Sequence, residues 1–228
     1  MKTMKTLIAA SVAAASMTMI AAPASAEVSA SVSVASMYLW RGFDLSNGSP
    51  AVSGDLTYST GGFYAGVWGS SGDDTYGQEV DYYAGFATEV GPISVDLSVW
   101  NYVYPGSSAN FTDLDGDGTV DGFADNGDTF GDLSEIILGL GAGPVSLTIY
   151  DNIAGGPGYF YYTLGYDVGS FSFLAGGTDN KDEDANYSHF DVSYAYNDKV
   201  SFTFSQMIDE DNDDDLKFVV SYSLPIDM

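Results

Sequence analysis

The sequence predicts an all-β protein: a transmembrane antiparallel β-barrel of about twelve strands behind a cleaved signal peptide. Three observations predict it. Segments of period-two alternation recur along the chain, each with an apolar and a polar face. The connections between them are mostly short and long in turn, the pattern of a barrel with tight turns on one side of a membrane and longer loops on the other. The charge is concentrated in the long connections rather than in the short turns.

The chain opens with a segment outside the barrel. Met1-Lys2-Thr3-Met4-Lys5 is basic, Leu7 to Ala22 is apolar and small, and Ala24-Ser25-Ala26 is an A-x-A cleavage site, so residues 1–26 read as a secretory signal peptide. The barrel domain is then residues 27–228. There is no cysteine, and a closed barrel needs none, because its hydrogen-bond ladder has no open edge. Of six Lys and Arg, two leave with the leader, while all 32 Asp and Glu remain. The mature domain has four bases against 32 acids, a formal charge of −28. Nucleic acid is excluded as a partner, since its phosphates would be repelled. Small cations are the expected solutes.

The first alternating segment is Val28 to Trp40, with Val28, Ala30, Val32, Val34, Tyr38 and Trp40 on one face and Ser29, Ser31 and Ser33 opposite. Pro50 to Ser59 and Gly62 to Ser70 follow, then Gln78 to Glu89, which sets Val80, Tyr82, Ala84 and Phe86 against Glu79, Asp81 and Tyr83. Ile93 to Tyr104 sets Ile93, Val95, Leu97 and Val99 against Ser94, Asp96 and Ser98. Leu133 to Leu140, Val145 to Tyr150, Tyr159 to Val168 and Phe171 to Thr178 continue the series. Tyr187 to Tyr196, Val200 to Ile208 and Leu216 to Leu224 complete it. The last is the cleanest, with Leu216, Phe218, Val220, Tyr222 and Leu224 in phase, as the strand that closes a barrel requires. The short connections, such as Gly61-Gly62, Gly91-Pro92, Gly169-Ser170 and Asn197-Asp198, are hairpin-turn residues.

The apolar face suits lipid, where a base at the midplane costs ~2–4 kcal/mol and an acid less. The opposite face holds Arg41, Asp55, Glu79, Asp81, Glu89, Asp96, Glu135, Asp167, His189, Asp191 and Lys217 by parity, together with Tyr64, Trp68, Tyr83, Trp100 and Tyr102. Acids outnumber bases there, so the expected lumen is water-filled. Arg41, Asp55, Glu79, Asp81, Asp96, Glu135, Asp191 and Lys217 are the candidate lumenal residues that set ion preference. Arg41, the only arginine, is expected to face the lumenal acids and shape a constriction, with a rim pair to Asp44 as the other reading.

The stretch from Val28 to Phe43, ending Tyr38-Leu39-Trp40-Arg41-Gly42-Phe43, resembles the TorF porin family, also called the Gcw_chp family. So do Gly61-Gly62-Phe63-Tyr64-Ala65-Gly66-Val67-Trp68 and Glu79-Val80-Asp81-Tyr82-Tyr83-Ala84-Gly85. The resemblance implies an outer-membrane barrel and a pore; it brings no catalytic residues.

Two further features bear on chemistry. Asp113-Leu114-Asp115-Gly116-Asp117-Gly118-Thr119-Val120-Asp121 has the acids and the glycine of a calcium loop, with Asp113, Asp115, Asp117, Thr119 and Asp121 as candidate ligands. Position twelve is Ala124 instead of a glutamate, so calcium in residues 113–125 is expected to bind weakly if it binds. His189, the only histidine, lies two residues before Asp191. It is read as a polar lumenal side chain, and the protein as a non-enzyme. The expectation is an outer-membrane barrel of a Gram-negative bacterium in contact with lipid and lipopolysaccharide, passing small solutes by diffusion with a preference for cations. The alternative is a non-conducting barrel whose acidic extracellular loops bind calcium or a surface partner, with the third long loop folded into the lumen.

Overall fold

A computed structural model describes residues 26–105, 127–156, 158–180, 185–208 and 215–226. The segment read as a signal peptide, the candidate calcium ligands Asp113, Asp115, Asp117, Thr119 and Asp121, and most of the last acidic loop lie outside the described residues.

Twelve antiparallel strands form a closed barrel. They are β1 (Glu27–Ala35), β4 (Ala51–Thr60), β5 (Phe63–Asp73), β6 (Gly77–Val90), β7 (Ile93–Val103), β8 (Leu133–Ala142), β9 (Val145–Ala154), β10 (Phe160–Val168), β11 (Phe171–Asp179), β12 (Ser188–Ala195), β13 (Val200–Met207) and β14 (Lys217–Ile226). A two-stranded hairpin, β2 (Leu39–Trp40) and β3 (Phe43–Asp44), stands apart from the wall. Each wall strand pairs with its sequence neighbour. The last pairs with the first, from Ala30 opposite Ile226 to Ala35 opposite Ser221. Closure leaves no unpaired edge, which is the condition for crossing a bilayer with strands. No helix among the described residues is long and apolar enough to span a membrane.

Parity along each strand divides the wall. Val32, Leu56, Val67, Leu97, Leu164, Phe204, Val220 and Leu224 face outward, and most of the large outward side chains are exposed. In water this apolar surface would drive aggregation; in lipid it is the stable surface. Aromatic pairs such as Phe63–Phe86, with centroids 4.7 Å apart, and Phe171–Tyr194, at 4.9 Å, lie near the short-turn end. They form part of the interfacial girdle that barrels carry. The protein therefore sits in the outer membrane of a Gram-negative bacterium, in contact with its lipid. The short turns lie at the periplasmic end and the long connections at the extracellular end.

The alternation carries the wall at eleven of the twelve predicted segments. The first is corrected: the wall strand ends at Ala35 instead of continuing to Trp40. The Ser36 amide still donates to the Val220 carbonyl at 2.9 Å, and the Ser36 hydroxyl accepts from the Val220 amide at 3.0 Å. Beyond that the chain turns into the barrel. Tyr38 and Leu39 pack on Ala35, Ala51 and Val219, so Tyr38 and Trp40 are not on the lipid face. The physical reason is the polar Ser36 on the outward phase, followed by an aromatic run that finds a better partner inside than in the rim.

Two local structures hold this inward segment. Arg41 (φ 49°) and Gly42 (φ 91°) are the central pair of a two-residue hairpin joining β2 to β3. Positive φ at both positions is the signature of the primed turns that such hairpins prefer. Further on, Asp44 accepts hydrogen bonds from the Ser46 amide at 3.0 Å, the Ser46 hydroxyl at 2.8 Å and the Gly48 amide at 2.6 Å. The Ser46 hydroxyl also accepts from the Tyr38 amide at 2.8 Å. Asp44 thus folds its own loop and does not pair with Arg41.

Two outcomes test the fold. Leu97→Arg, on the outward face near the middle of β7, should lower unfolding stability by ~2–4 kcal/mol, while Asp96→Asn, on the adjacent lumenal position, should change it by ~1 kcal/mol or less. Both are read from unfolding in lipid vesicles. Gly42 presses its Cα against the wall, where an added Cβ would lie 2.4 Å from Met207 Sδ and 2.8 Å from His189 Cβ. Gly42→Ala should therefore cost ~2–3 kcal/mol by the same measurement.

Candidate functional site

The inward hairpin delivers Arg41 to the centre of a polar cluster in the extracellular half of the lumen. Its Nη2 donates to Glu135 Oε2 at 2.6 Å. Its Nη1 donates to the Tyr159 hydroxyl at 3.3 Å. The guanidinium carbon lies 4.4 Å from the centroid of the Tyr161 ring, 4.7 Å from that of Tyr150 and 4.5 Å from that of Trp40. Strand pairing explains the arrangement, since Glu135 is on β8, Tyr150 on β9 and Tyr161 on β10, with all three on the lumenal phase of adjacent strands. Glu135 also accepts from the Tyr102 hydroxyl at 2.7 Å and the Tyr159 hydroxyl at 3.4 Å. Burial pushes the Tyr159 phenol up to about 12, with Arg41 opposing and Glu135 adding to the rise, so Tyr159 remains a donor.

Beside this cluster, Tyr38 donates to Glu79 on β6. Burial raises the Tyr38 phenol well above its usual range, and the charge of Glu79 adds to the effect. Asp81, two residues along β6, is only 3% exposed, and its Oδ1 has no hydrogen-bond partner. On the far wall, Asp191 accepts from His189 Nδ1 at 3.0 Å, and the Tyr161 hydroxyl meets Nε2 at 2.7 Å. Because a carboxylate only accepts, the proton sits on Nδ1, and in the neutral ring Nε2 takes the Tyr161 proton. Both ring nitrogens are therefore engaged by side chains of the wall.

The periplasmic half is built differently. Tyr64 donates to Asp96 at 2.8 Å, Thr57 and Tyr83 share a hydrogen bond at 2.5 Å, and Asp55 accepts from Ser31. Small hydroxyls line the opposite wall, with Ser193 to Thr203 at 2.8 Å and Ser33 to Ser223 at 2.9 Å. Tyr83 stacks on Trp100 with centroids 4.3 Å apart.

All eight predicted lumenal residues lie on the inner side. Arg41 comes from the loop, and Asp55, Glu79, Asp81, Asp96, Glu135, Asp191 and Lys217 come from the wall. In the extracellular half Arg41, Glu79, Asp81, Glu135 and Lys217 are buried, and an ion pair and phenol donors surround Glu79 and Glu135. The described inward segment is the first loop; of the third loop, named in the alternative reading, residues 106–126 lie outside the described residues. Parity alone missed Tyr150, Tyr159 and Tyr161 as partners of Arg41. The signal available was Arg41-Gly42 and Asn47-Gly48, two dipeptides suited to positive φ in the connection that follows the first predicted strand.

Removing one side of the buried ion pair leaves the other uncompensated. Arg41→Ala should destabilise the barrel by ~3–5 kcal/mol. Glu135→Gln, which keeps an acceptor for Arg41, should cost less. Denaturant midpoints of the refolded barrels give the comparison.

The amino-acid sequence matches the family model described as "Bacterial protein of unknown function (Gcw_chp)" over residues 20–133. No curated protein matches the chain. Among solved structures, it is similar to outer membrane phospholipase A from Escherichia coli at 12% identity, covering 86% of this chain and 95% of that one, with a TM-score of 0.43. It is also similar to Pseudomonas aeruginosa OccK5 (OpdH) at 14% identity, covering 86% of this chain and 63% of that one, with a TM-score of 0.37. Pseudomonas aeruginosa OccK8 (OprE) gives 14% identity, 86% and 62% coverage, and a TM-score of 0.33. The chain thus spans less than two thirds of the length of the two Pseudomonas proteins. The closed barrel stands on its own strand pairing, and the family model matches half of the sequence: the chain belongs to the Gcw_chp family.

Proposed function

We propose that the protein is an outer-membrane channel for small solutes, cation-preferring, with its narrowest part at the inward segment around Arg41. The observation that carries the reading is the charge balance of the inner wall. Asp55, Glu79, Asp81, Asp96, Glu135 and Asp191 face inward against Arg41 and Lys217, and the Arg41 charge is already matched by Glu135. Acidic walls in a low-dielectric surround raise the local concentration of cations and lower that of anions. The resemblance of the N-terminal stretches to TorF porins supports the same reading.

The asymmetry of the lumen supports a narrow passage. One wall carries Tyr64, Tyr83, Trp100, Tyr102, Tyr150 and Tyr161. The other carries Ser193, Ser201, Thr203, Ser221 and Ser223, short hydroxyl side chains that fill less of the lumen than the rings opposite. No turnover is involved; passage follows the gradient.

The test is conductance of the refolded mature protein in a planar bilayer under a KCl gradient. Small, stable steps with a reversal potential favouring potassium are expected, and Asp55→Asn together with Asp96→Asn should move that potential toward zero. Absence of steps from a verified barrel would overturn the channel reading in favour of a non-conducting barrel.

A further inference from the structure

Arg41 belongs to the first loop, but most of what holds it belongs to the wall. Glu135 comes from β8, Tyr150 from β9 and Tyr161 from β10, with Tyr159 from the connection before β10 and Tyr102 on β7 fixing the Glu135 carboxylate. Of the three rings around the guanidinium, only Trp40 travels with the hairpin. Apart from the hairpin, the wall itself presents a carboxylate beside two phenol rings.

This composition is selective for one kind of cation. A guanidinium is planar and weakly hydrated. It offers an N–H fork to a carboxylate and its flat face to aromatic rings. A central carbon 4.4–4.7 Å from the wall ring centroids is the spacing of such face contact. An ammonium is compact and holds its water more strongly, so it gains less in the same place. Close to the seat, on the adjoining inner wall, Asp81 pairs across β6 and β7 with Tyr102, and Trp100 pairs with Glu135 on β8. The unpartnered Asp81 Oδ1 is an acceptor with nothing in the described structure to satisfy it.

We propose that this seat is a binding site for solutes carrying a guanidinium group, and that Arg41 is the resident side chain such a solute displaces. Arg41 sits at the first central position of the hairpin turn, so its side chain can leave the seat while the turn keeps its backbone. The proposal names a solute class for the channel reading and rests on that reading for the solute's route into the lumen. Binding itself is measured without conduction, so the two fail separately.

The experiment compares wild type, Arg41→Ala and Arg41→Ala/Glu135→Gln, refolded in detergent, in millimolar guanidinium chloride, sodium chloride or tetramethylammonium chloride. The readout is the temperature at which the heat-modifiable band is lost. Guanidinium should raise that temperature in Arg41→Ala at a concentration on the order of tenfold lower than either other cation needs. In wild type, where Arg41 competes for the seat, the same rise should need a higher guanidinium concentration, and no rise specific to guanidinium should remain once Glu135 is neutral. Equal shifts with all three cations, or no shift, would overturn the proposal. If Arg41→Ala refolds only with guanidinium present, that selectivity in refolding yield is the same positive result. If it refolds in none of the salts, Arg41→Lys takes its place, with the same guanidinium-specific rise expected and its absence overturning the seat. A guanidinium-specific rise in a barrel that never conducts would uphold the seat and reject the channel.

Discussion

The ion pair between Arg41 and Glu135 is the contact on which the interior depends. A carboxylate buried on β8 needs a counter-charge, and the described wall has no arginine to offer. The first loop supplies it. To do so the chain leaves the wall at Ser36, tucks Tyr38 and Leu39 against Ala35, Ala51 and Val219, and turns at Arg41-Gly42 hard against His189 and Met207. Every later feature of the upper lumen follows. Tyr38 comes within reach of Glu79, Tyr159 bridges Arg41 and Glu135, and Tyr161 is shared between Arg41 and His189.

The outer and inner faces of the same strands answer to different solvents. Outward residues meet lipid, where apolar bulk is sufficient and exact partners are unnecessary. Inward residues are polar and buried, so each must find a hydrogen bond or an ion pair or pay the cost of desolvation. Three of the acids do so through tyrosine, whose ring fills space while its hydroxyl donates to a carboxylate. Tyr38 with Glu79, Tyr64 with Asp96 and Tyr102 with Glu135 repeat that arrangement across four strands and a loop. It lets an acidic lumen pack without an equal number of bases.

The wall was legible in the sequence because a strand's two faces alternate by geometry, and a segment such as Leu216 to Leu224 cannot hide its period. The lumenal placement of Asp81, Asp96, Glu135 and Asp191 followed from the same parity. The inward hairpin was less legible. Val28, Ala30, Val32 and Val34 carry the alternation as far as Ser36, and Tyr38 and Trp40 then fall back into phase by chance of composition. Period alone does not distinguish a strand that continues from a chain that turns inside with the same spacing. That Arg41 faces a lumenal acid was legible; that the acid is Glu135, with Tyr150 and Tyr161 beside it, was not, because these three come together only through the pairing of β8, β9 and β10. The acids of the long loops are plain in the sequence, whereas the side-chain partners of Arg41 required the barrel to be closed first.

The most direct test of the account is the conductance of a barrel in which residues 37–48 are replaced by a short Gly-Ser linker, measured beside the wild type in the same bilayer. If the inward segment is the constriction, the replaced barrel conducts in distinctly larger steps and keeps its preference for potassium, since the acidic wall is unchanged. Steps of the same size in both proteins would show that the first loop does not limit passage and would contradict the account at its centre.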